Sequence, residues 1–310
     1  LTTRPKEIPV SCHIGIDGGG TKFAVAAFRS QGDPVPFHDT RFDTQKVDAE
    51  ASDEEKERAY FIDGDNLIQA ILEVAVGHEI LSISMAVAGN VSDDRTHIVK
   101  AGTIVHWERR NIFSLVAEVF GCPVYLGGDG EALVLAEMFY GRAGYKPTLG
   151  MIWGTGVGGA FSKFTRRGLE VFATELGHMD TEHHSGNTKP CGCGSFSCLE
   201  SHIGGKNIEA RHGNALNVLP TQWNSYYSKF AWGIEATAMV AKPELVVLGG
   251  GAAWKQREML VPFIEQYLSG LTIVGRPEVV VSSFGESAGT VGALALGRLL
   301  TNGEPVPAGR

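Results

Sequence analysis

One pattern occurs twice and constrains the fold more than any other feature: an apolar run, a glycine turn, and a second apolar run. The first copy reads His13-Ile14-Gly15-Ile16-Asp17, then Gly18-Gly19-Gly20-Thr21-Lys22, then Phe23 to Phe28. The second reads Leu149 to Trp153, then Gly154-Thr155-Gly156-Val157-Gly158-Gly159, then Ala160 to Phe164. Apolar flanks rich in small residues suit buried strands. Two such units in one chain suggest an internal duplication. A third cluster, Gly249-Gly250-Gly251, follows the apolar run Leu245 to Leu248. Tight turns can aim backbone N–H groups at an anion, so the clusters read as a clamp on phosphate.

The spacing Gly154-x-Gly156-x-x-Gly159 also matches the dinucleotide fingerprint literally. That fingerprint requires a helix next, because the pyrophosphate rests on the helix N-terminus. Here Ala160 to Phe164 alternates as a strand does, so the Rossmann reading fails. The Walker-type phosphate loop is absent as well.

A second constraint is a concentration of sulfur. Three of the five cysteines, Cys191, Cys193 and Cys198, fall within eight residues, interleaved with Gly192 and Gly194. Cys191 and Cys193 are too close in sequence for a comfortable disulfide. Thiolates at this density suit zinc, which takes four sulfur or nitrogen ligands. His178 is the candidate fourth ligand, with His183 and His184 as rivals nearer in sequence. Three thiolates and an imidazole leave no open position, which makes the expected zinc structural. Glu175 and Glu200 flank the loop, where a metal knot would fix their carboxylates as a binding surface.

At 310 residues the chain exceeds the usual single domain. Two α/β lobes are expected, 1–127 and 128–310, with zinc loop 178–198 in the second and closing helix 289–301 packing back on the first. A net charge of -8 disfavours nucleic acid and anionic membranes as partners. No run spans a bilayer and no leader is apparent, so a cytoplasmic location is expected. Helices are expected from a cap at Asp65 through Val76, and over Ile112–Phe120, Ala132–Tyr140, Phe230–Ala241 and Gly289–Leu300. Strands are expected at Leu81–Ala88, Pro123–Leu126, Leu245–Leu248 and Val279–Ser282, and the acid-rich stretch from Phe37 to Tyr60 as an exposed excursion.

Together these stretches carry a resemblance. Ile14 to Lys22 resembles the first phosphate motif of the actin/hexokinase-like ATPases, Gly154 to Gly159 the second, and Leu248 to Gly251 the adenosine-side motif. Glu175-Leu176-Gly177-His178, Cys191-Gly192-Cys193-Gly194 and Cys198-Leu199-Glu200 are similar to the zinc signature of the ROK family (repressors, open reading frames and sugar kinases). The resemblance implies a two-lobed, duplicated ribonuclease-H-like fold with ATP, Mg²⁺ and a hexose in the cleft between lobes. It implies Asp129 as the base that deprotonates the sugar 6-hydroxyl, an acid that a helix N-terminus can keep ionised. It further implies Asp17 as the Mg²⁺ residue, acting through water. Phosphate contacts fall on Gly18, Gly19, Gly20, Thr21, Lys22, Gly154, Thr155 and Gly156, and the nucleoside side on Gly249, Gly250 and Gly251. Sugar contacts fall on Glu175, His178 and Glu200, with Asn90, Thr103 and Gly128 at neighbouring sugar-side positions. His178 would give one ring nitrogen to zinc, beside Cys191, Cys193 and Cys198, and the other to the sugar.

Three departures from the family pattern stand out, and those at Gly128 and Thr103 bear on the substrate. Gly128 stands where the family has Asn, Gly102-Thr103 where it has Pro-Asn, and Ala88-Gly89 where it has Pro-Gly. A hydroxyl left unpaired in a buried site costs about 1–3 kcal/mol, so plain glucose is disfavoured and an amino-hexose expected, kanosamine or an N-acetylhexosamine. Only 16 residues precede Asp17, so the DNA-binding repressor of this family is not expected. A non-catalytic sensor is disfavoured by the retained Asp17 and Asp129. Polyphosphate as donor finds no added basic groove, and homodimers are common among similar proteins although no interface is visible in these residues.

Overall fold

A computed structural model describes residues 11–214, 218–270 and 275–302. It divides into two compact units, Leu1–Gly127 with Leu296–Gly303, and Gly128–Ala295 with Glu304–Arg310. Each unit is built on one five-stranded sheet.

In the first unit β1 (Ser11–Gly18), β2 (Lys22–Arg29), β3 (Pro36–Asp43), β4 (Glu79–Val87) and β7 (Val124–Gly128) lie in the order β3-β2-β1-β4-β7. The pairs β1–β2 and β2–β3 are antiparallel, and β1–β4 is parallel. The second unit repeats the plan with β8 (Thr148–Trp153), β9 (Val157–Thr165), β10 (Gly168–Thr174), β11 (Leu245–Gly249) and β12 (Glu278–Val281), in the order β10-β9-β8-β11-β12. Here β8–β9 and β9–β10 are antiparallel, while β11 runs parallel to both β8 and β12. Both glycine turns join the first two strands of their sheets. A short ribbon, β5 (Asn90–Val91) with β6 (Ile98–Lys100), branches off the first unit.

Helix α1 (Asp53–Val74) packs on β2 and β3 and buries Leu67, Ile71 and Val74 in one core cluster with Ile14, Ile16, Ile83 and Met85. Each such side chain contributes roughly 1.5–3 kcal/mol by leaving water. The helix begins twelve residues before the expected cap at Asp65, which lies in its interior. The reason is a capping box: Ser52 N–H donates to Glu55 at 3.0 Å, and Glu55 N–H donates to Ser52 Oγ at 3.2 Å. Asp53, Glu54 and Glu55 then complement the positive end of the helix dipole. The expected excursion from Phe37 to Tyr60 is therefore edge strand β3 followed by the first turns of α1.

Helix α2 (Ile112–Phe120) has Asn111 as its N-cap and ends at Gly121, whose φ of 62° is the left-handed value a helix C-terminus favours. Helix α3 (Asp129–Tyr140) begins three residues before the expected Ala132 and is buried along nearly its whole length. The second unit continues with α4 (Leu199–Ile203), α5 (Gly205–His212), α6 (Pro220–Ala241) and α7 (Gly251–Tyr267). Helix α6 starts at Pro220, ten residues before the expected Phe230, since proline suits a first helical turn. Helix α8 (Ala288–Asn302) closes the described chain. Among the described residues no helix is long and apolar enough to cross a membrane.

Candidate active site

In the first unit the glycine turn is a tight hairpin, closed by Gly19 N–H donating to Lys22 O at 3.1 Å. Asp17 is the penultimate residue of β1, and Thr21 and Lys22 project into solvent. Burial pushes the Asp17 carboxyl up to about 6, against the opposing pull of Lys22. Thr44 buttresses the turn from behind: its hydroxyl donates to Gly19 O at 2.7 Å and its amide to Thr21 O at 3.1 Å. Thr103 lies directly over Gly20, where any side chain would collide with it. Asn90 is exposed on β5, opposite Lys100.

In the second unit the turn between β8 and β9 is held by its carbonyls. Gly205 and Lys206, at the start of α5, donate their amides to Gly154 O at 2.9 Å and Thr155 O at 3.1 Å. Val157 N–H donates to Glu200 Oε2 at 2.9 Å. The Thr155 and Gly156 amides make no hydrogen bond among the described residues, so they are the donors this turn has to offer. Asp129 is the first residue of α3, and its Oδ1 accepts the Gly130 amide at 2.7 Å. Gly128 caps the helix, and its own amide is taken by Glu131 at 2.9 Å. A Cβ at Gly158 would stand 3.6 Å from Asp129 Oδ1, so the carboxylate lies beside the turn. Gly249 ends β11 and Gly250 and Gly251 lead it into α7.

The cysteine loop is folded by its own backbone. Thr181 and Ser185 donate amides to Ser197 O and Phe196 O at 2.8 and 2.7 Å, and Leu199 donates to Met179 O at 2.9 Å. These rungs return Cys198 to His178, while Cys191 and Gly194 close a smaller turn through bonds of 2.8 Å. The ligand atoms of His178, Cys191, Cys193 and Cys198 consequently lie within 4.8 Å of one another. The Cys193–Cys198 sulfur distance is 3.7 Å, and Cys191 Sγ is 3.8 Å from His178 Nδ1. A tetrahedron with metal–sulfur bonds of ~2.3 Å has edges of ~3.8 Å, so this donor set fits zinc. Contact among the sulfurs pulls the Cys191 thiol far down and pushes Cys198 up; contact with Cys191 raises His178. The rival histidines lie outside this group. His184 stacks on Phe196 at 5.0 Å and accepts the Gly186 amide, and the His183 carbonyl meets His202 Nε2 at 2.7 Å.

Glu200 sits between this loop and the turn. Beside its bond to Val157, its Oε1 lies 3.2 Å from Cys191 Sγ and 3.7 Å from Lys206 Nζ. Burial raises its carboxyl, with the Cys191 charge adding to the effect. Glu175 is exposed, 3.7 Å from His178 Nε2, the ring nitrogen turned away from Cys191. Gly177 makes that placement sterically feasible, because a Cβ there would run into the Val157 carbonyl. The second unit thus brings together Asp129, the Gly154–Gly159 turn, Glu175, His178, Glu200 and the three cysteines. Asp17, Thr21, Lys22, Asn90 and Thr103 belong to the first unit. Sequence reasoning passed over Thr44 and Lys206, which carry no motif; the bonds that single them out join residues far apart in the chain.

Residues 13–298 match the model of the ROK family. The glucokinase of Streptomyces coelicolor is 28% identical over 330 residues, covering 92% of this chain and 97% of the relative. An N-acetyl-D-glucosamine kinase from Histophilus somni is 26% identical over 246 residues, covering 69% of this chain and 79% of the relative. The crystal structure of a ROK family glucokinase from Streptomyces griseus, in complex with glucose and AMPPNP, has a TM-score of 0.73 at 22% identity, covering 93% of this chain and 99% of that one.

Proposed function

The chain belongs to the ROK family, with the actin-like ATPase fold, and from that premise we propose that it transfers a phosphoryl group from ATP to the 6-hydroxyl of an amino-hexose. It is a sugar kinase. The reading of its chemistry is carried by the surroundings of Asp129, a carboxylate at a helix start, beside a glycine turn with two amides to spare. Asp129 takes the proton from the sugar hydroxyl, and the helix N-terminus favours its ionised form. In the second unit the Thr155 and Gly156 amides hold phosphate and Gly249 to Gly251 line the nucleoside side; in the first, Thr21 and Lys22 are the phosphate contacts. Positioning and charge neutralisation supply much of the acceleration in transfers of this class. Magnesium, held through Asp17, would neutralise charge on the transferring group. Zinc, held by His178, Cys191, Cys193 and Cys198, would lock the loop that orients Glu175, Glu200 and the free His178 nitrogen toward the sugar.

Sugar preference follows from the departures at positions 128 and 103. Gly128 brings no side chain to the start of α3, and Thr103 is shorter than the asparagine it replaces. Two hydroxyls of a glucose-like ring thereby lose donors or acceptors, at about 1–3 kcal/mol each. A ring bearing an amino or acetamido group suits such a site better. A coupled assay with ATP over glucose, mannose, kanosamine, N-acetylglucosamine and N-acetylmannosamine tests this. Kanosamine or an N-acetylhexosamine is expected to give the highest kcat/KM; glucose in first place removes the preference.

A further inference from the structure

Asp63 lies in α1 with no exposed surface, and its carboxylate gathers two other segments of the first unit. Its Oδ1 accepts the Gln45 amide at 3.1 Å, and its Oδ2 accepts His106 Nε2 at 2.7 Å and Trp107 Nε1 at 3.3 Å. The His106 side chain is equally closed to solvent. A carboxylate so fully removed from water is costly unless donors are fixed around it. An apolar residue of similar size would fill the space but leave the Gln45 and Trp107 donors unpaired, so the carboxylate is what joins the two segments.

Both segments lead to the first glycine turn. Gln45 follows Thr44, which bonds Gly19 through its hydroxyl and Thr21 through its amide. His106 and Trp107 end the loop that carries Thr103, and Thr103 rests on Gly20. The contacts close a ring: from the turn to Thr44 and Gln45, through Asp63 to His106 and Trp107, and by Thr103 back to the turn. Trp107 adds stiffness, with Tyr60 edge-on at 5.0 Å and Phe23 tilted against it at 5.2 Å.

Resting on the reading of this turn as a phosphate site and of Thr103 as a sugar-side residue, we propose that Asp63 is the positioning residue that couples the two. Occupation of the turn by nucleotide stiffens the Thr103 loop through Asp63. Asp63 touches neither substrate.

Hydrogen–deuterium exchange on the full chain, with and without magnesium and AMPPNP, reads the coupling without any sugar. In the wild type the nucleotide is expected to slow exchange in both 17–22 and 101–107. Asp63→Asn should keep the protection of 17–22 and lose that of 101–107. Trp107→Phe removes one donor, keeps an aromatic ring in the core, and should show the same loss in part. Leu67→Ala, a destabilising change further along α1, should leave both responses in place. Wild-type protection of 101–107 in Asp63→Asn overturns the proposal, as does its equal loss in Leu67→Ala. Protection of 17–22 alone in the wild type overturns it while leaving the nucleotide reading intact. Protection of neither segment removes the nucleotide reading and this inference with it.

Discussion

Glu200 accepts the Val157 amide at 2.9 Å through one oxygen and holds the other 3.2 Å from Cys191 Sγ. One carboxylate therefore ties the residue that follows the Gly154–Gly156 turn to the cysteine loop. Its role extends past any contact with sugar, because the turn loses an anchor when it goes. A hydrogen bond to a charged group contributes about 1.5–3 kcal/mol, a factor of roughly 10 to 160 in rate or affinity. Glu200→Ala is expected to lower kcat/KM by that factor for sugar and for ATP alike. Steady-state kinetics with each substrate varied in turn checks it, and a change confined to the sugar would contradict the anchoring role.

Asp129→Asn keeps the size of the side chain and its acceptor for the Gly130 amide, but removes the carboxylate proposed as the base. Turnover is expected to fall by roughly 10²- to 10⁴-fold, the usual contribution of a positioned base, with little change in the KM for sugar. Rapid-quench measurement of phosphosugar formation separates this loss from slowed product release. A variant with unchanged turnover would remove Asp129 from the chemistry.

The sulfur geometry leads to a composition as well as a stability. One zinc per chain is expected by elemental analysis of the purified protein. Cys198→Ser and His178→Ala should each lose the metal and melt at lower temperature, because metal binding to a closed site is itself folding free energy. His183→Ala and His184→Ala should retain a full equivalent, since neither ring joins the sulfur group. Retained metal in Cys198→Ser would show that the ion sits elsewhere.

Local signals carried some parts of the molecule and not others. The glycine turns and buried strands of both sheets announce themselves by composition, since a buried strand needs only apolar residues and the turn needs only glycine. The start of α1 is obscured because its first turns are acidic, and Asp65 resembles a cap where the working one is Ser52 with Glu55. Strand β3 is an edge, with polar residues at its exposed positions, so alternation there is faint. Asp63 was invisible for a related reason. One acid in a polar helix reads as solvated, and only the return of Gln45 and Trp107 from distant sequence shows it to be buried.

His13 offers a test of stability against pH in the first unit. Its ring is buried in β1, bonded to Ser82 Oγ at 2.7 Å, and burial pulls its pKa down to about 4, with the Arg298 charge adding to the effect. In the unfolded chain the same group titrates near 6.5. Between those values the unfolded state binds more protons, so stability rises with pH there. The contribution is fully present above pH 6.5 and is lost as pH falls through 4. After a discount for solvent screening, it amounts to about 2 kcal/mol. His13→Gln retains a partner for Ser82 and does not titrate. Urea unfolding at several values from pH 7.5 to pH 4.5 should show the wild type losing more stability than His13→Gln on the acid side. The carboxylates common to both proteins cancel in that difference, so parallel curves would mean that folding leaves the affinity of the ring for its proton unchanged.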